Sequence, residues 1–159
     1  MADETKTVVR ADPLPGFCFL VRFTDLDGTV DTYFKSVSGL RSETEVIPVR
    51  AGGANSTTFN LVGAVKWGPI VFKQGFTAGS ALMKWRQSWL TPGKGMTRSN
   101  GQIIQLDTAL KPKAAWNFYR GWPSKWELGE FDASKSELSI ETLEICHEGL
   151  EFAASVPAA

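Results

Sequence analysis

A chain of 159 residues with 43% apolar and 21% charged residues can bury one sizeable core, so a single soluble-type domain is expected. Its 17 Lys+Arg balance 17 Asp+Glu. That balance removes both the excess cation a duplex-binding protein needs and the self-repulsion that keeps copies of a protein apart.

Residues 1–16 read as a mobile polar arm ending at Pro13-Leu14-Pro15-Gly16. Its acidic start, Met1-Ala2-Asp3-Glu4, has no apolar stretch behind it, which predicts synthesis in the cytoplasm without an ordinary signal peptide. No apolar run in the chain approaches membrane-spanning length, so no membrane anchor is expected. Phe17 to Phe23 reads as a strand with Phe17, Phe19, Val21 and Phe23 on one face. Asp27-Gly28 is a hairpin-turn signal, and Thr29 to Val37 returns as a second strand. Residues 41–62 read as a projecting hairpin whose first strand begins polar at Arg41, Glu43 and Glu45 and whose tip is Gly52-Gly53-Ala54-Asn55-Ser56. An isolated hairpin is marginal in water, so a projecting one wants a partner surface.

Val65 to Lys73 reads as a strand with a bulge or edge at Gly68-Pro69. The one short helix covers about residues 80–90. Ser80 is its N-cap, Leu82, Trp85 and Trp89 share one face, and Thr91-Pro92-Gly93 stops it. Asn100-Gly101 is a second hairpin signal, followed by a strand over 102–106. Trp116, Phe118 and Trp122 keep an every-second-residue spacing on a strand that ends, or becomes an edge, at Pro123. A loop over 123–137 carries Trp126 and Phe131. The last strand, Leu138 to His147, is apolar at 138 and 140 and then at 143 and 145; the phase change predicts a bulge or a strand shared between two sheets. Residues 17–150 form the domain, and 151–159 a loose tail. About eight strands and one flanking helix make a mainly β protein, a sandwich or barrel.

Few residues suit catalysis or metal binding. His147 is the only histidine, and no Gly-x-Ser-x-Gly elbow accompanies it. Two cysteines, Cys18 and Cys146, with one histidine are too few for a zinc site and read as free thiols. Glu43/Glu45 and Glu141/Glu148 are carboxylate pairs of the kind that chance supplies among many acidic residues. No catalytic, cofactor-binding or metal-binding residue is therefore assigned. The six tryptophans leave one rival reading, a Trp-rich β-sandwich that stacks on sugar rings as a carbohydrate-binding module.

Several motifs occur in one order: Ser36-Val37-Ser38-Gly39-Leu40 with Glu43 and Glu45; Lys66-Trp67-Gly68 leading to Phe72-Lys73-Gln74-Gly75; Asn100-Gly101; Trp116-Asn117-Phe118; Trp122-Pro123-Ser124-Lys125-Trp126; Glu141-Thr142-Leu143-Glu144; and His147-Glu148-Gly149-Leu150. On these the chain resembles the tail-tube (inner tube) proteins of contractile phage tails and contractile injection systems, over roughly residues 15–150. Arg120-Gly121 stands where that pattern has Asn-Ala.

The resemblance implies a hexameric ring whose protomers share a continuous inner β-barrel, with rings stacked into a hollow tube. Sheath contraction would propel the tube and its cargo, a protein effector or DNA, into a target cell. Implied partners are further copies of the chain, a sheath protein, a baseplate with its spike, and a tube terminator. The particle would be a phage tail or a phage tail-like particle, extracellular or injected. Ring-to-ring contacts are expected at Glu43, Glu45, Arg50 and Asn55 on the hairpin, with Lys125, Trp126 and Glu127 on the receiving side.

Overall fold

The computed structural model describes residues 16–17, 19–26, 30–32, 34–50, 52–53 and 57–153. Cys18, the Asp27-Gly28 turn, Asn55 and nearly all of the N-terminal arm lie outside them. The elements are β1 (Phe19–Phe23), β2 (Val30–Thr32), β3 (Ser36–Ser38), β4 (Ser42–Arg50), β5 (Thr58–Trp67), β6 (Ile70–Gly75), α1 (Ala81–Leu90), β7 (Ser99–Leu106), β8 (Pro112–Leu128), β9 (Ile140–Cys146) and β10 (Gly149–Ala153). The mainly β reading stands, with one helix and ten strands among the described residues rather than about eight.

Seven strands follow the order β2-β1-β7-β8-β9-β6-β3, β10 pairs with β8, and β4 and β5 form a two-stranded sheet of their own. The long strand β8 organises this arrangement. Its residues up to Gly121 pair with β7 and β10, and Trp122 to Leu128 pair with β9. It therefore belongs to two half-sheets, β2-β1-β7-β8-β10 and β8-β9-β6-β3. The transition falls where Arg120 has a left-handed φ of 52° and the register shifts between Pro123 and Lys125. The shared strand is thus β8, not the last one, and Pro123 sits at an irregularity where the missing N–H does no harm. The expected 123–137 loop shrinks accordingly, because 123–128 is strand.

The core lies between the half-sheets. Val21, Phe23, Ile103 and Phe118 come from one, Ile70, Phe72, Leu143 and Ile145 from the other, and Leu82 and Trp85 close it from the helix. Phe23 is central: its ring meets Phe72, Trp85 and Phe118 edge-on at 5.7–5.8 Å between centroids. Each fully buried phenylalanine stabilises the fold by about 1.5–3 kcal/mol over an exposed one. A second cluster, Leu20, Ile104, Leu106 and Ala115, lies on the back of the first half-sheet. The helix starts as expected, with the Ser80 hydroxyl accepting from the Met83 N–H at 3.3 Å.

Four further expectations are corrected. The segment 29–37 is not one strand: β2 pairs with β1, and β3 pairs with β6 in the other half-sheet. Phe17 precedes β1 and is exposed. Asn100-Gly101 lies inside β7, not in a turn; a Cβ at Gly101 would sit 2.4 Å from the Phe118 ring, so glycine is needed there for close packing. Glu151 to Ala153 are not loose: they pair with β8 in β10, and the rest of the expected tail lies outside the described residues.

Candidate assembly interface

The β4–β5 hairpin grows out of the β3–β6 pair, and its base is tightly built. Gly39 has φ 88°, and a Cβ there would lie 2.1 Å from the Pro69 carbonyl oxygen. A Cβ at Gly68 would meet the Arg41 side chain at 2.4 Å. The Gly68 carbonyl lies 2.9 Å from Nε2 of buried His147, whose Nδ1 is 3.0 Å from the Gly149 carbonyl. A neutral imidazole donates to one of these two carbonyls. The only histidine is thus a buried brace under the hairpin.

Beyond the base, every residue of β4 is exposed. Cross-strand pairs share a face and successive residues alternate. Ile47 opposite Leu61 and Val49 opposite Phe59 therefore occupy one face, with Glu43 opposite Lys66 nearer the base. Val46 opposite Val62 and Thr44 opposite Val65 occupy the other, with Arg50 opposite Thr58 towards the tip. Val62 is 85% exposed, Val46 59% and Phe59 54%. Strands that are apolar on both faces are ordinarily covered on both. The protomer leaves these bare.

Three of the four expected hairpin residues lie within this sheet; Asn55 is outside the described residues. Glu45 pairs with Lys66 at 3.6 Å across the ladder, an exposed contact of the kind worth at most about 1 kcal/mol. Lys125 and Glu127 form an ion pair at 2.8 Å on one face of β8. The hydrogen bond to Glu127 holds the Lys125 ammonium above its ordinary pKa, with the charges of Glu127 and Glu144 adding. The same bond and the Lys125 charge hold Glu127 below the usual carboxylate range, with Lys73 adding. Trp126 alternates inward: it packs against the core, meets Phe76 edge-on at 6.4 Å, and donates from Nε1 to Glu141 at 2.9 Å.

In the sequence Glu141 stands in one of the motifs that carry the resemblance and in a chance acid pair with Glu148, and neither gives it a role. It is instead 1% exposed and accepts hydrogen bonds from Gln74 Nε2, from the Ser80 hydroxyl at 2.7 Å and from Trp126. Glu148 lies on the surface between Arg98 at 2.6 Å and Arg120 at 2.8 Å. The break in apolar alternation at 140–143 was the sequence signal for Glu141. The expected bulge is on the partner strand β8, and β9 runs on with Glu141 facing inward.

The tryptophans offer no open platform. Trp85 is buried, and Trp67, Trp89, Trp116, Trp122 and Trp126 are half-buried. Trp89 stacks on Trp122 at 5.6 Å, and Trp116 meets Phe152 edge-on at 5.8 Å. The carbohydrate-binding reading loses its basis. Among the described residues, no group of three His, Cys, Asp or Glu side chains could hold a metal, and no helix is long and apolar enough to cross a membrane.

Comparison with known proteins agrees with this architecture. The family model for the T4-like virus tail tube protein gp19 matches residues 15–151. A chain in the six-fold symmetrised structure of the anti-feeding prophage baseplate superposes with a TM-score of 0.83 at 26% identity, covering 91% of this chain and 97% of that one. The fold recurs in the tube-terminating cap of the anti-feeding prophage, with a TM-score of 0.81 at 21% identity over 98% and 100% of the two chains. It recurs again in the sheath–tube complex of the extracellular contractile injection system PVC, with a TM-score of 0.78 at 21% identity over 97% and 100%. Comparison with curated protein sequences finds no match. With most of its length inside the family model, the chain belongs to the T4-like virus tail tube protein family.

Proposed function

We propose that this tail tube protein works by self-association and catalyses nothing: hexameric rings stack into the hollow inner tube of a contractile, phage tail-like particle of the anti-feeding prophage kind. The observation that carries this reading is the β4–β5 hairpin, apolar on both faces and uncovered in the protomer. Exposed apolar surface of this extent marks an interaction site. The hairpin inserts between neighbouring copies, and Glu43, Glu45 and Arg50 set its register by complementary charge. The other partners follow from the assemblies in which the relatives occur, namely a baseplate, a sheath and a terminating cap.

The test is negative-stain electron microscopy of the purified protein over a concentration series, beside Val62→Glu. Val62 is 85% exposed, so the variant should fold with stability changed by no more than about 0.5 kcal/mol. Rings and stacks with a central hole are expected from the parent chain, and dispersed protomers from the variant. Tubes of normal length from the variant would rule out the hairpin's role.

A further inference from the structure

The strand register puts two oppositely charged groups at opposite ends of the half-sheet β8-β9-β6-β3. Pro123, Ile145 and Ile70 lie side by side at one end, and Leu128, Glu141 and Gln74 at the other, about 17 Å of strand away. Arg120 and Glu148 lie just beyond the first end, and the pairing of Ser99 with Gly121 brings Arg98 beside them. The β4–β5 hairpin leaves from this same end, where Gly39 packs on Pro69 and His147 reaches the Gly68 carbonyl. The loop 129–139 lies beyond the second end, its base closed by the Gly129 N–H donating to the Ile140 carbonyl at 2.9 Å.

The first end carries an uncompensated cation. Arg98 and Arg120 share the one carboxylate of Glu148, at 2.6 and 2.8 Å, and Arg120 meets it through Nε. That leaves the fork of two Nη groups on Arg120, the part of a guanidinium that suits a second carboxylate. Arg120 also has a φ of 52°, a conformation costly for a residue with a Cβ. An exposed ion pair returns little, so the contact with Glu148 does not account for an arginine here. The backbone is pinned on both sides: Asn100 Oδ1 accepts from the Arg120 N–H at 2.8 Å, and the Tyr119 carbonyl from the Glu148 N–H at 3.0 Å. A strained residue held in place by its surroundings points to a function.

The loop carries the complement. Asp132 is spent inside it, on the Ser134 N–H and hydroxyl and on Lys135. Glu130 and Glu137 are exposed, as are Phe131 and Leu138 beside them, at 77% and 86%. Two arginines and one glutamate leave one positive charge at the first end; Glu130, Asp132 and Glu137 with Lys135 leave two negative charges on the loop. Resting on the ring reading above, we infer that Arg98 and Arg120 of one copy receive Glu130 and Glu137 of a copy in the next ring, and that Arg120 thereby decides which ends of two rings can meet. The hairpin's end cannot meet its own kind without setting arginine against arginine, whereas the loop end offers it carboxylates. Phe131 and Leu138 flank the two glutamates and shield the pairs from water in the contact.

Arg120→Asn separates this role from a structural one. Asparagine tolerates the left-handed backbone, so the Tm of dispersed protomers, measured in a Val62→Glu background, should be equal or higher. In the otherwise unchanged chain, rings of the same variant should need at least about tenfold more protein to stack, read by negative-stain microscopy. Arg120→Glu should leave rings and abolish stacks. Adding Glu130→Lys and Glu137→Lys reverses the sign of both groups and should restore them. Normal stacks from Arg120→Glu, or no rescue in the triple variant, would overturn the assignment. So would a Tm that falls together with stacking in Arg120→Asn, which would make Arg120 a structural residue only. Absence of rings from the parent chain would instead refute the ring reading, which keeps the two failures apart.

Discussion

Glu141 holds three elements together, and removing its carboxyl group should be the most damaging single change away from the apolar core. Its oxygens accept from Gln74 of β6, from the Ser80 hydroxyl at the helix N-cap and from Trp126 of β8. Ser80 is itself 4% exposed, so in Glu141→Ala its hydroxyl loses a partner that water replaces poorly. Gln74 and Trp126 are half-buried and recover part of their bonding from solvent. One buried donor orphaned at about 1–3 kcal/mol, two weaker losses and a small cavity sum to about 3–5 kcal/mol. That is a large share of the roughly 5–15 kcal/mol that holds a domain folded. Glu141→Gln keeps the volume and one acceptor oxygen and should cost about half as much, because its amide nitrogen turns a donor towards donors. The assay is urea unfolding followed by tryptophan fluorescence, in a Val62→Glu background so that assembly does not contribute to apparent stability. A double-mutant cycle with Ser80→Ala should show coupling of about 0.5–3 kcal/mol. A loss below about 1 kcal/mol for Glu141→Ala, or the absence of coupling to Ser80, would refute the idea that this carboxyl group anchors the helix.

Gly39→Ala should cost at least about 1–2 kcal/mol from the left-handed backbone alone, before its contact with the Pro69 oxygen is counted; urea unfolding of the same monomeric background measures it. Gly101→Ala forces a Cβ between the Phe118 ring and the Arg22 carbonyl oxygen, an overpacking cost of about 1–3 kcal/mol, or roughly 2–12 °C in Tm by thermal melting. Asp107 gives a pH prediction. Its carboxylate accepts from the Lys111 and Ala109 N–H groups, at 2.9 Å each, and faces Lys113 at 3.5 Å. The Lys111 bond is the leading cause that holds its pKa below the ordinary carboxylate value. A depressed folded pKa means that this stabilisation is complete above the unfolded value and is lost as pH falls through the folded one. Asp107→Asn should therefore flatten the acid side of the stability–pH curve, and an unchanged acid limb by chemical unfolding at stepped pH would contradict that.

Local chemistry was readable in the sequence where one side chain or one period decided the outcome. Ser80 before Leu82, Trp85 and Trp89 fixes a helix because the cap and the apolar stripe agree. The same logic misled at Asn100-Gly101 and at Pro123. A glycine followed by a strand reads as a turn, yet this one makes room for Phe118, a residue distant in sequence. A proline reads as a strand end, yet β8 absorbs it at the irregularity where the strand passes from one half-sheet to the other. The split of 29–37 between two half-sheets was unreadable for a related reason: strand pattern records which face is buried, and not which neighbour supplies the ladder.

The assembly surfaces illustrate the point most sharply. The sequence points to Glu43 and Glu45 as charges that set register against a neighbouring copy. The more informative residues are their apolar neighbours: Val46-Ile47-Pro48-Val49 and Phe59 with Leu61-Val62 break the alternation expected of a strand with one face in water. A continuous apolar run on a strand that packs against nothing in its own protomer is a statement about neighbours. The bare face of β8-β9-β6-β3 makes the opposite statement. There Lys73, Thr142, Glu127, Glu144 and Lys125 alternate cleanly with core residues, as on a wetted surface. One chain thus carries a hairpin written for two-sided burial and, directly continuous with it through Gly39 and Gly68, a sheet face written for water.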